Sequence, residues 1–117
     1  MKIITDESTA FSIFEESAKL HGECTENGNY KEGNKHYKEI LDSAKYLNQN
    51  ALLNLLTPLL DSDFVGVQLW TATFLLKTEE KLAISKLREI EKLKNIHSLS
   101  AEMTLKMWKE GKLNLLL

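Results

Sequence analysis

The sequence predicts an all-α fold of about six helices, and three observations carry that expectation. Apolar residues recur at three- and four-residue spacing along most of the 117 positions. No stretch sustains the one-in-two alternation of a half-buried strand. Residues 59–76, LLDSDFVGVQLWTATFLL, join an apolar helix end, a short acidic turn and a helix that is apolar on nearly every side. Such a helix has to be covered on several faces. It is therefore expected at the centre of the fold, with Trp70 and Leu69 in the core.

The first helix is expected over about residues 6 to 23. Ala10, Phe14, Ser17, Ala18 and His21 share one face, flanked by Ile13, Leu20 and Cys24, while Glu15, Glu16, Lys19 and Glu23 face water. Asp6, Ser8 or Thr9 caps its start. The turn T25-E-N-G-N29 breaks it, because Asn-Gly disfavours helix continuation. The second helix covers about residues 30 to 47. Its inward stripe is Tyr30, Asn34, Tyr37, Ile40, Leu41 and Ala44, and Lys31, Lys35, Lys38 and Lys45 lie opposite.

The third helix, about residues 50 to 60, is short and rich in leucine. Asn48 or Asn50 is its expected cap, and Pro58 is expected to kink it by removing a backbone donor. Asp61, Ser62 and Asp63 form the turn that caps the fourth helix, about residues 64 to 77. Thr78 is expected to cap the fifth helix, with Glu79 and Glu80 in the first turn, where negative charge suits the helix dipole. Leu82, Ala83, Leu87, Ile90 and Leu93 form its inward face. Ser98 or Ser100 starts the sixth helix, whose inward face is Leu99, Met103 and Met107 with Trp108 beside them. Gly111 stops it. Leu113, Leu115, Leu116 and Leu117 are too apolar to stay in water. They are expected to fold back on the fifth and sixth helices; the alternative is to cap a second copy.

A chain of this length makes one domain, residues 1–117, and buries roughly two-thirds of its unfolded surface without disulfides or metal. Apolar residues are 43% and charged residues 27%, which is ordinary for a soluble globular protein. A net charge of −2 gives no overall basic field for nucleic acid. The lone Cys24 has no internal disulfide partner, which fits a cytoplasmic location. Residues 1–11 carry an acid at position 6 and no long apolar run, unlike a signal peptide. Residues 64–76, the longest nearly uncharged stretch, are too short to cross a bilayer.

A weak internal repeat fits this layout. At an offset of 34, Leu53, Leu56 and Leu59 fall on Leu87, Ile90 and Leu93, and Val67 and Phe74 fall on Ala101 and Trp108. An irregular helical bundle is the alternative. Pro58, Leu59, Leu60, Asp61, Asp63, Val67, Ala72 and Leu75 resemble the kinked first helix, acidic turn and Val-led second helix of a HEAT repeat. Gln68 departs from that pattern, standing where such repeats favour an arginine against the acidic turn. The turn is also about one residue longer than usual. The resemblance implies a short right-handed α–α superhelix. V67-Q-L-W-T-A-T-F-L-L76 and A101-E-M-T-L-K-M-W-K-E-G111 are similar to segments of a family of small bacterial single-domain HEAT-like proteins of unknown function, some of which look like toxin-immunity proteins.

The chemistry-bearing residues form no complete motif. His21, Cys24 and His36 offer zinc-type ligands, but a structural site wants four and a catalytic site at least three. Cys24 and His21 stand three apart, without a third group to orient them. The glycines are scattered, so no phosphate loop exists. No catalytic residue, cofactor or metal is expected. Glu32, Glu39 and Asp42 interrupt the lysine stripe, which reads as a solvated face. Half-exposed aromatics are preferred binding anchors, which makes Tyr30, Tyr37 and Trp108 the candidate partner-binding residues. The expected function is a non-enzymatic protein-binding module of the bacterial cytoplasm, with a toxin as the sharpest form of partner and a monomer or weak homodimer as its state. The alternative is a nucleic-acid-binding HEAT-like protein.

Overall fold

Every regular element of the computed structural model, which describes residues 4–117, is helical. In chain order these are α1 (Glu7–Asn27), α2 (Tyr30–Gln49), a 3-10 helix (Leu53–Asp61), α3 (Val65–Leu75), α4 (Glu80–Lys92) and α5 (Ser98–Lys109). Among the described residues there is no strand. The all-α expectation and its six elements hold.

The caps are more local than expected. Asp6 is the one that starts α1, its carboxylate accepting from the Thr9 N–H at 2.7 Å. Gly28, at φ 78°, ends α1 four residues later than expected. Asn29 then caps α2 by accepting from the Glu32 N–H. Asn50 does not cap the next helix. It closes α2, with its backbone N–H and its side-chain amide both donating to the Tyr46 carbonyl. The third element is not a kinked α-helix. Ala51 takes a left-handed φ of 57°, which delays the start to Leu53, and no side chain caps it. Pro58, inside the segment, has no N–H to close a bond four residues back, and the nine residues keep the tighter 3-10 form.

No acidic side chain caps α3. Ser62 holds the turn instead. Its hydroxyl accepts from the Phe64 N–H at 3.2 Å, and its carbonyl accepts from the Gln68 side-chain amide at 2.6 Å. Gln68 thus ties helix to turn at the position where the arginine was missed. Thr78 does not cap α4; Glu79 stands at the cap position and makes no side-chain bond to it.

No residue of α3 is exposed, as a helix apolar on nearly every side requires. It separates two cores. Val67 and Phe74 face Phe14, Ile40, Leu47 and Leu56 of α1, α2 and the 3-10 helix. Leu69, Ala72 and Leu75 face Ala83, Leu87, Ile90 and Leu105 of α4 and α5. The radius of gyration, 13.2 Å, matches the roughly 13 Å expected of a compact chain of this length.

Several residues expected on inward faces are exposed. Tyr30 and Asn34 are exposed, because α2 meets α1 there through the buried Gly33. Leu82 and Leu93 are exposed, and α4 buries only Ala83, Leu87 and Ile90. Helix α5 is turned half round. Ala101 and Leu105 are buried, whereas Leu99, Met103 and Met107 are exposed. Trp70 is half-buried rather than core; Leu69 is buried as expected. The leucines after Gly111 fold back within the chain but reach further than α4 and α5. Leu113 packs on the second core, while Leu115 and Leu117 pack on the first.

Candidate functional site

Two glycines set the site. Gly22 of α1 and Gly66 of α3 lie so close that a Cβ on Gly66 would stand 3.0 Å from the Gly22 Cα and 3.2 Å from the Ala18 carbonyl oxygen. Only a residue without a side chain permits that crossing. It brings His21 of α1 against Trp70, one turn along α3 from Gly66. The indole N–H of Trp70 donates to His21 Nδ1 at 3.3 Å, and the two rings meet edge-on with centroids 5.2 Å apart. Tyr37 of α2 lies 5.5 Å from the indole and Phe74 stacks on it at 5.9 Å. Phe14 meets Phe74 edge-on in turn. An aromatic column therefore runs from the first core to the surface.

Trp70 and Leu69 form the inner wall of a cleft of about 320 Å³ between α1, α3 and α5. His21, Gly22, His97 and Met103 also line it. His97, only 4% exposed, is held through Nε2 by the Glu26 carboxylate at 2.8 Å. Burial first, and then the charges of His36 and His97, hold the His21 pKa below its ordinary value of 6.5. The imidazole is thus neutral near pH 7. With Nδ1 accepting from Trp70, its proton sits on Nε2.

Two hydroxyls of the cleft bond to backbone. Thr25 donates to the His21 carbonyl and Thr73 to the Leu69 carbonyl. Cys24 does not pair with His21. It is buried toward α2, where a Cβ on Gly33 would stand 3.5 Å from its own Cβ. His36 meets Glu39 at 3.3 Å. Among the described residues, no three His, Cys, Asp or Glu side chains converge to hold a metal ion.

The structure does not gather Tyr30, Tyr37 and Trp108 into one surface. Tyr30 is 75% exposed at the first turn of α2. Tyr37 packs on Trp70. Trp108 lies against the second core and donates its indole N–H to Glu80 at 2.8 Å. Lys31, Lys35 and Lys38 are exposed, and Lys45 is half-buried.

A second apolar surface is formed by residues of α5 that the periodicity places inward. Leu99, Met103 and Met107 are 64%, 54% and 37% exposed, and Ile96 just before them is 53% exposed. At 100° per residue Leu99, Met103 and Met107 fall within about 80° of the α5 surface, and Ile96 lies in the turn that leads into the helix. Met103 joins this stripe to the cleft. The signal was present in the sequence, since α5 carries a second apolar set, Ala101, Leu105 and Trp108, on its opposite side. Comparison with protein-family models, with curated proteins and with solved structures finds no match for this chain.

Proposed function

We propose that the chain is a non-enzymatic protein-binding module whose docking face is the outer side of α5. The single observation that carries this is the exposed stripe of Ile96, Leu99, Met103 and Met107. Contiguous apolar surface of this kind marks interaction sites. Two methionines suit it, since their flexible thioether chains adapt to an opposing surface. The helix that presents it is already folded, so little ordering is left to oppose binding. In the adjacent cleft His21 accepts from Trp70 and His97 is held by Glu26, an arrangement that fits recognition better than catalysis. A HEAT-like superhelical arrangement, and a toxin as the partner, belong to the same proposal and rest on the resemblance of the turn and of the two segments.

A photo-crosslinking residue at position 99 tests this in the native host. The expected result is one discrete protein adduct, absent when the same residue replaces Lys38 and absent when Met103→Glu is added. No adduct from position 99, or equal adducts from both positions, contradicts the proposal. An adduct with nucleic acid from position 38 favours the basic stripe of α2 instead.

A further inference from the structure

We propose that the cleft between α1, α3 and α5 binds a small, uncharged aromatic molecule of one or two fused rings that carries a hydrogen-bond acceptor on its edge. The site goes beyond the protein-binding reading, because it needs neither Ile96 nor Leu99 nor Met107 of the α5 stripe. Three features of its walls define the ligand.

The first is shape. No residue of α3 is exposed, yet at Gly66, Leu69, Trp70 and Thr73 the helix borders a cleft of about 320 Å³. Gly22 and Gly66 give its wall backbone rather than side chains. A flat molecule can therefore rest directly against both helices. The volume lies at the lower end of the range for ligand sites. A cavity of about 150 Å³ takes up benzene, so this one has room for two fused rings and little more.

The second is charge. Among the described residues, no Lys, Arg, Asp or Glu side chain lines this cleft. Three other grooves each carry acidic and basic side chains together. Glu26 stands outside the cleft walls and is occupied with His97 at 2.8 Å. An ionised ligand would lose its water here without gaining a charged partner, which strongly disfavours it. The ligand is therefore uncharged.

The third is a fixed donor set among soft apolar walls. Because Nδ1 of His21 accepts from Trp70, Nε2 carries the ring proton. Nε2 has no partner among the described residues and is open to solvent. The bond to Trp70 holds the imidazole in place, so its donor is oriented before a ligand arrives. Thr25 and Thr73 give their hydroxyl protons to helix carbonyls. Leu69, the Trp70 indole and the Met103 thioether supply the apolar walls. An indole and a thioether favour an aromatic ligand through ring–ring and sulfur–ring contacts. An acceptor on the ligand edge completes the bond that Nε2 lacks.

Three probes titrated into the full chain near pH 7, read by nitrogen–proton NMR, test the site. Quinoline has two flat rings and one acceptor nitrogen. Indole has the same shape without the acceptor, and quinoline-6-carboxylate adds a charge. Quinoline is expected to shift the Trp70 indole N–H and the Gly22 and Gly66 amides, with a Kd of about 1 mM or tighter. The Trp108 indole N–H, bonded to Glu80, is expected to stay in place. Indole and the carboxylate are each expected to bind at least about three-fold more weakly than quinoline. His21→Phe is expected to abolish the preference for quinoline over indole. His21→Gln, whose amide both accepts from Trp70 and donates, is expected to keep it. Thr104→Trp fills the cleft from α5, and is expected to lose quinoline with an unchanged circular dichroism spectrum. No shift at Trp70 with about 5 mM quinoline overturns the proposal. So does equal binding of quinoline and either control, and so does binding that survives Thr104→Trp. The crosslink from position 99 does not depend on this cleft, so failure here leaves the protein-binding reading standing.

Discussion

His21 links the cleft to pH, and its surroundings fix the sign. Its Nδ1 accepts the Trp70 N–H, and burial together with His36 and His97 depresses its pKa below 6.5. Above that value the ring is neutral folded and unfolded alike, so the full stability is present. As the pH falls through 6.5 the unfolded chain takes up a proton first, and stability is lost until the folded pKa is reached. The melting temperature of wild type is therefore expected to fall between pH 7 and pH 5 more steeply than that of His21→Gln, which still offers an acceptor to the indole. Equal slopes would remove His21 as the cause. The sequence showed His21 on the inward side of α1, but not this bond. Its partner lies 49 positions away, and the contact exists only because two helices cross at glycines. The pair of Glu26 and His97, 71 positions apart, was invisible for the same reason. Trp70 was expected in the core because its helix is apolar. Its N–H needs a partner, and the partner sits at the edge of the core.

Helix crossings and helix rotations are where the elements departed from expectation. Gly66 lies inside α3, where alanine is the better helix former by about 1 kcal/mol. The crossing outweighs that preference. A methyl group there meets backbone of α1, which has no side chain to swing aside. Gly66→Ala is expected to destabilise by about 1–3 kcal/mol in urea unfolding, the usual range for forced overpacking. A stabilised variant would show that α1 and α3 are not held this close. For α5 the periodicity was legible but two-sided. Leu99, Met103 and Met107 look more apolar than Ala101, Leu105 and Trp108, and spacing alone could not choose between the rows. Packing chose the second, because the small Ala101 lets α5 close on the second core beside Leu87 and Ile90. The 3-10 helix was missed for a related reason. The pattern of Leu53, Leu56, Leu59 and Leu60 shows which residues are buried, and says nothing about hydrogen bonds that Pro58 cannot donate.

At the scale of the whole molecule, one apolar helix organises everything. The central place of α3 is readable from residues 64–76, since a helix apolar on nearly every side must be covered on several faces; that it divides two cores is seen only in the packing. The reach of the last leucines was less readable, because it depends on where the two cores open. Leu113 closes the second and Leu115 and Leu117 the first, so residues 113–117 lie across both. Deleting them is expected to lower the melting temperature by about 4 °C or more, with the mass in solution the same as that of wild type. An unchanged melting temperature would show that these leucines contribute nothing to the fold; a change of mass would show that they join two copies. α5 turns its smaller apolar row inward and leaves the larger one exposed, which is what the proposed docking face requires. Equilibrium urea unfolding of Leu105→Ala beside Leu99→Ala tests it most directly, at low protein concentration where association adds nothing to stability. A loss of about 2–5 kcal/mol is expected for Leu105→Ala, from lost contacts and a cavity, and a change within about 0.5 kcal/mol for Leu99→Ala. A large loss at Leu99 with little at Leu105 would contradict it, placing the stripe in the core and leaving the proposed docking face without a surface.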